Sequence, residues 1–335
     1  MRSTVLSRWI FLQALMSFFL AGCTGSPESL SQQLNTLLAL FPNDVSVVEE
    51  VILLRPDDDR DLALRIAFPS SGGSFPLVIF SHGAFCFPES YAGITDHWVS
   101  HGYVVILLNH WDSPNSQLRL PANAQTTLVA SRARDMSFVL DSLDQIEQVV
   151  PALSGKIDRT RLGVAGHSFG GMIALIKAGL SLKDPESPGV SVSYADNRFS
   201  AAVVMSGVGV MPLQMNDDAF DSVQFPLIAT GGTLDIGNVG DGNEYPWEWR
   251  MGAFTLTPPG DKYSVVLDEG DHYLGGLICR PDRGGEADPE GLAIDAATTT
   301  AFLDGYLKQD QRAKRFLSSF DLGAATNGRA ELKSR

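Results

Sequence analysis

Gly166-His167-Ser168-Phe169-Gly170-Gly171 stands between an apolar run, Leu162-Gly163-Val164-Ala165, and a helix-like run over 172–180. Strand, tight turn and helix in that order make the layout of a nucleophile elbow. The turn forces the central serine into a strained backbone conformation and lifts its hydroxyl above the edge of a sheet. The positions two before and two after the serine approach each other closely, so both must be tiny, and here they are Gly166 and Gly170. A helix that opens just after the serine also aims backbone N–H groups at any anion forming there.

Outward from this motif the chain alternates short apolar runs with amphipathic ones. Strands are expected over 45–54 and 62–68, paired antiparallel across a turn at 56–59. Further strands are expected over 75–80, 103–108, 162–165, 201–205, 226–229 and 263–267. Helices are expected over 26–40, 91–101, 127–146 and 293–307, from apolar residues at helical spacing. Fully apolar strands alternating with helices imply a mostly parallel sheet covered on both faces. Such sheets bind ligands at the carboxyl ends of their strands, where Ser168 emerges.

A serine hydroxyl is a weak nucleophile near neutral pH. It needs a base within hydrogen-bond reach, and the base needs a carboxylate to hold its tautomer. On this architecture the chain order is serine, acid, histidine. One histidine follows Ser168, His272, in Glu269-Gly270-Asp271-His272 after the last expected strand. Asp235, a few residues beyond the 226–229 strand, is the expected acid. Asp218, Asp221, Asp241 and Asp271 are rivals; Asp271 adjoins His272, and Asp241 lies in a glycine-rich stretch. Charge developing on a carbonyl oxygen needs two N–H donors. One is expected from Phe169, the residue after the nucleophile. The other is expected from Ala84, in the loop Ser81-His82-Gly83-Ala84-Phe85, where His82 reads as a loop brace rather than a second base.

The segments Phe80-Ser81-His82-Gly83, Ser100-His101-Gly102-Tyr103-Val104-Val105 and Gly166 to Gly171 resemble platelet-activating-factor acetylhydrolases and bacterial dienelactone-hydrolase-like esterases. More distantly they are similar to cutinase-like polyester hydrolases. The resemblance covers about 75–310. It implies an α/β-hydrolase fold, Ser168 as nucleophile, and Ala84 and Phe169 as oxyanion donors. The chain departs from the animal acetylhydrolases, whose acid follows the strand after the nucleophile. That position here reads Val204-Met205-Ser206-Gly207, with no Asp. Dienelactone hydrolases proper use cysteine as nucleophile, and this chain has serine. Neither phospholipid nor lactone specificity therefore follows. The expected activity is hydrolysis of a small or lipid-like ester. A serine peptidase and a non-catalytic binding protein on the same fold are the alternatives. The 183–197 stretch, the best place for a cap, reads as a polar loop, so no large cap domain is expected.

The N-terminus carries Arg2 and Arg8, then an apolar core over 9–20, then Leu20-Ala21-Gly22-Cys23. A basic start, a short apolar core and small residues make a secretory signal, and its apolar stretch is too short to span a bilayer comfortably. The last four residues resemble a bacterial lipobox, which implies cleavage before Cys23 and its lipidation. The expected division is a signal peptide over 1–22, a tether and helix over 23–44, one hydrolase domain over 45–320 and a flexible tail over 321–335. The expected location is the bacterial envelope, lipid-anchored at the outer membrane and facing the periplasm. Removing 1–22 takes the net charge from −14 to −16. Such acidity excludes a basic nucleic-acid footprint and leaves lipid rather than charge to hold a membrane. Hydrophobic residues, 44% of the chain, suffice for a large core. Cys86 and Cys279 remain in an oxidising compartment. They could meet if both loops crown the site, or stay as free thiols, since spacing does not supply the Cα separation a bridge needs. No metal-ligand spacing and no phosphate-cradling Gly-Lys-Ser/Thr loop is present, so no cofactor or metal is expected. The sequence leaves the oligomeric state open.

Overall fold

The computed structural model describes residues 43–335, except 56–59, 115, 117–123, 185, 186, 188, 238–241 and 284. The expected signal segment, Cys23, the 26–40 helix, the 56–59 turn and Asp241 lie outside the described residues.

One nine-stranded sheet organises the chain. In sequence order its strands are β1 (Val45–Arg55), β2 (Arg60–Pro69), β3 (Phe75–Ser81), β4 (Val104–Asn109), β5 (Ile157–His167), β8 (Ala201–Met205), β9 (Leu227–Gly232), β10 (Lys262–Leu267) and β11 (Ala330–Ser334). Their spatial order is β1-β2-β4-β3-β5-β8-β9-β10-β11. The six strands from β4 to β10 run parallel, with β2 added antiparallel to β4 at one end and β11 antiparallel to β10 at the other. This is the α/β-hydrolase fold.

The parallel strands are mainly apolar where both faces are covered, although β5 carries the polar run Asp158 to Arg161 near its start. Alternate side chains serve opposite faces. Leu77, Ile79, Val104, Ile106, Val164, Ala202 and Val204 join one core with Met136 and Val139 of helix α2 (Ala124–Asp141) and Ile173 and Ile176 of α4 (Phe169–Lys177). Val78, Phe80, Val105, Leu107, Ala165, Val203 and Ile228 face the other core. There they meet Ile94 and Trp98 of α1 (Ala92–Ser100) and Phe302 and Leu303 of α6 (Pro289–Leu307).

The structure corrects three expectations. The single helix expected over 127–146 is two, α2 and α3 (Leu143–Val149). They meet at Ser142, whose N–H is shared between the carbonyls of Phe138 and Val139 at 3.0 and 3.2 Å. That shared bond tightens the turn and lets the axis bend. The 183–197 stretch is not wholly loop: β6 (Leu182–Lys183) and β7 (Ser191–Val192) form a small separate hairpin. The largest correction is at the C-terminus. Residues 321–335, expected as a flexible tail, contain helix α8 (Leu322–Ala325) and β11, which closes the sheet beside β10. The strand is short, polar on its outer side and bordered by charges. Such an edge strand carries little hydrophobic periodicity, and its pairing, Leu267 opposite Ala330 and Tyr263 opposite Ser334, comes from the partner strand. A four-residue helix, α5 (Gly252–Thr255), and a nine-residue helix, α7 (Gln311–Ser319), complete the described α-helices.

Candidate active site

Strand β5 delivers His167 at its last position, and α4 starts at Phe169. Ser168 between them has φ 55° and ψ −117°, a backbone region that costs a non-glycine residue about 1–3 kcal/mol. The surroundings hold it there. Its N–H donates to the Met205 carbonyl at 2.8 Å. A Cβ at Gly166 would lie 2.2 Å from the Gly170 carbonyl oxygen, so that position admits only glycine. A Cβ at Gly170 would instead strike the Ser81 carbonyl oxygen at 1.9 Å. The second glycine is therefore required by the end of β3, not by its partner glycine, and this contact seats the elbow against the loop that begins at His82.

Asp235 and His272, the expected acid and base, arrive on two loops laced together. Beyond β9, Thr233 N–H donates to Leu267 O at 2.9 Å and Leu234 N–H to Gly270 O at 3.0 Å. Glu269 N–H donates back to the Thr233 hydroxyl at 2.7 Å. A Cβ on Gly232 would sit 2.2 Å from Gly270 O, which measures how closely the loops pass. Asp235 and His272 face each other as a result. His272 Nδ1–H donates to Asp235 Oδ1 at 2.7 Å, and His272 Nε2 lies 2.9 Å from Ser168 Oγ. With the carboxylate accepting at Nδ1, Nε2 is left as the acceptor for the serine hydroxyl, the arrangement a general base requires.

Asp235 is fully buried. Burial alone would push its carboxyl up, but the His272 and Arg250 partners outweigh it and hold the group at about 2. Arg250 is a residue that sequence reasoning missed. It is buried, and its Nε–H donates to Asp235 Oδ1 at 3.1 Å while Nη1 reaches Gly207 O at 3.3 Å. Its only sequence signal is a cation fifteen residues after an acid, which carries no direction. The rival acids lie elsewhere: Asp218 and Asp221 are exposed. Asp271 turns back on its own loop, accepting from the N–H of Tyr273 at 2.7 Å and of Gly275 at 3.0 Å.

His167, the residue before Ser168, links three parts of the site. Gly83 N–H donates to the Tyr91 hydroxyl at 2.9 Å, so that hydroxyl is free to donate to His167 Nδ1, also at 2.9 Å. His167 Nε2–H then donates to the backbone carbonyl of His272 at 2.9 Å. Burial first, and the nearby His272 second, push His167 well below the usual histidine value, so it serves as a neutral strut. In the sequence Tyr91 reads only as the start of the helix expected over 91–101. His82 is likewise neutral, chiefly through burial and then through Arg132. Its Nε2 accepts from His110 N–H at 3.1 Å and its Nδ1–H donates to Gly83 O at 2.6 Å. That pattern makes it a brace for the loop.

Ala84 sits in a turn closed by Cys86 N–H donating to Gly83 O at 3.3 Å. Cys86 and Cys279 are joined as a disulfide with Cα atoms 4.9 Å apart, across 193 residues. The bridge ties the Ala84 loop to the loop that carries His272.

Comparison with known proteins yields a family model described as chlorophyllase, matching residues 48–204. Among curated proteins the chain is similar to a platelet-activating factor acetylhydrolase of Cavia porcellus, 27% identical over 30% of this chain and 31% of that protein. It is similar to chlorophyllase-1 of Citrus unshiu, 27% identical over 50% of this chain and 46% of that protein. It is also similar to cutinase 2 of Thermobifida cellulosilytica, 32% identical over 51% and 52% of the two chains. The chain spans about half, or less, of the length of these relatives.

Proposed function

We infer that this chain is a serine carboxylic-ester hydrolase that works through an acyl-enzyme on Ser168. The observation that carries the reading is the unbroken line from Ser168 Oγ through His272 to the buried Asp235, at 2.9 and 2.7 Å. His272 Nε2 takes the Ser168 proton as Oγ attacks the ester carbonyl. Asp235 holds the imidazole in place and balances the imidazolium that forms. The N–H groups of Phe169 and Ala84 receive the oxyanion. His272 then gives its proton to the leaving alcohol, and a water deprotonated by the same nitrogen releases the acyl group. The relatives, an acetylhydrolase, a chlorophyllase and a cutinase by name, agree with this reaction class.

A small or lipid-like ester is the substrate class that suits the rim. Phe85, beside Ala84, is 50% exposed, and Leu234 and Ile236 on either side of Asp235 are 59% and 50% exposed. Apolar groups left in water beside a catalytic centre favour an apolar acyl or alcohol portion. Lipid on Cys23 would tether the domain at the envelope membrane, where such esters concentrate. Nitrophenyl esters of increasing acyl length, assayed beside a peptide anilide, test the reading. Ester turnover that disappears on prior treatment with a fluorophosphonate is expected. Turnover of the peptide alone would replace the esterase with a peptidase.

A further inference from the structure

Beneath the proposed oxyanion hole lies a buried ion pair that the reaction scheme does not use. Arg132, in α2, has no exposed surface, and Asp112 in the loop after β4 is 4% exposed. The guanidinium grips the carboxylate with its Nε–H at 2.9 Å and its Nη2–H at 2.7 Å to both oxygens. Burial works against the charge on Asp112, yet Arg132 holds that carboxyl well below the usual range. An ion pair withdrawn from water gains little net stability compared with a well-packed apolar pair. Its contacts show what else it does.

Arg132 Nη1–H donates to the His82 carbonyl at 2.5 Å, and Nη2–H reaches the Gly83 carbonyl at 3.3 Å. The Gly83 carbonyl also receives His82 Nδ1–H. A peptide unit is planar and trans, so its C=O and N–H point in opposite directions. Fixing the Gly83 oxygen therefore fixes the direction of the Ala84 N–H. The following peptide is pinned from the other side, because Phe85 N–H donates to Asp112 Oδ2 at 3.2 Å. Phe85 has φ 57°, a conformation that a single side chain would not hold unaided. The same guanidinium lies 4.5 Å from the centroid of the Phe169 ring, on the residue that supplies the second donor.

We propose that the Arg132–Asp112 pair positions both halves of the oxyanion hole, setting the direction of the Ala84 N–H through the carbonyls and amide around it and seating Phe169 by stacking. This rests on the esterase reading of the site. Arg132 and Asp112 touch no reacting atom; they act through Ala84 and Phe169. Their contribution is realised when charge develops on the substrate oxygen, so it belongs to kcat and not to ground-state binding.

The test compares wild type with Arg132→Lys, Asp112→Asn and the double variant, using nitrophenyl butyrate and active-site titration with a fluorophosphonate. A boronic acid, which forms a tetrahedral adduct on the serine, gives the second readout. Losing one oxyanion donor outright costs about 10²–10³ in rate, so a misdirected donor is expected to lower kcat per titrated site by about 10- to 100-fold. KM should stay within about threefold, and boronate affinity should fall by the same factor as kcat/KM. The double variant should be little worse than either single one, because the pair acts as a unit. Arg198→Lys, altering the ion pair with Asp196, serves as the control for a simple loss of stability. A lowered melting temperature with kcat per site and boronate affinity both unchanged would overturn the proposal. If Arg132→Lys does not fold, the same readouts on Asp112→Asn decide it. A wild-type chain that neither hydrolyses the ester nor takes the fluorophosphonate removes the esterase reading itself, and this proposal with it.

Discussion

Ser168 is held in a backbone conformation it would not choose, by glycines on either side that no larger residue could replace. Strain of this kind, at φ 55° and ψ −117°, motivates a test of the hydroxyl it presents. Ser168→Ala is expected to fold normally and to lose ester turnover by several orders of magnitude, about 10⁴ or more on the scale of triad nucleophile removals. Circular dichroism beside a nitrophenyl-ester assay checks both halves, and residual activity within about tenfold of wild type would remove Ser168 from the mechanism. Asp235→Asn is expected to lower kcat by about 10³–10⁴, because an amide carries no charge to stabilise the imidazolium and its NH2 can donate to Nδ1, holding the imidazole in the wrong tautomer. Asp241→Asn should leave kcat unchanged; the reverse behaviour of the two variants would reassign the acid. At this scale much of the site was legible in the sequence. Ser168, Asp235 and His272 follow from one motif, one chain order and one remaining histidine. Arg250, Tyr91, His167, Arg132 and Asp112 were not legible as parts of the site, because each acts through a contact with a residue at least fifteen positions away.

At the scale of elements, α6 packs against β9, the strand that precedes Asp235, through a buried carboxyl. Asp295 Oδ2 accepts from the Thr230 hydroxyl of β9 at 3.1 Å. Burial, only partly offset by that hydrogen bond, raises Asp295 from 3.8 to about 7. The folded chain then keeps a proton that the unfolded chain releases above 3.8. Raising the pH through the interval from 3.8 to about 7 therefore favours unfolding. Below that interval both states carry the proton, and above it both have lost it. Urea midpoints should fall across that window in wild type, and Asp295→Asn should flatten the slope and be the more stable form above it. Equal slopes in the two proteins would show that Asp295 does not carry this linkage. Helix α2–α3 illustrates a different limit at this scale. Its apolar spacing was readable, but the break at Ser142 depends on one N–H shared between two carbonyls, which periodicity does not register.

At the scale of the whole molecule, a net charge of −14 opposes attraction to anionic lipid, so attachment to a membrane would rest on lipid at Cys23. Full-length protein produced in a bacterial host should partition into detergent, and Cys23→Ser should stay unprocessed or become soluble. Mass spectrometry of the mature N-terminus reads the outcome directly; a first residue other than an acylated Cys23 would remove the anchor and leave the esterase proposal standing. The sequence by itself determined the alternation of strands and helices, the elbow, and the order of serine, acid and histidine. Each is encoded locally, in periodicity 2 or 3.6, in glycine placement, or in succession along the chain. Only the tertiary structure decided that β11 closes the sheet, that Cys86 meets Cys279, that Gly170 is required by Ser81, and that a buried arginine lies under both proposed oxyanion donors. Those facts join residues from distant parts of the chain. Hydrogen-bond directions and close backbone approaches exist only once the sheet has brought its strand ends to one edge.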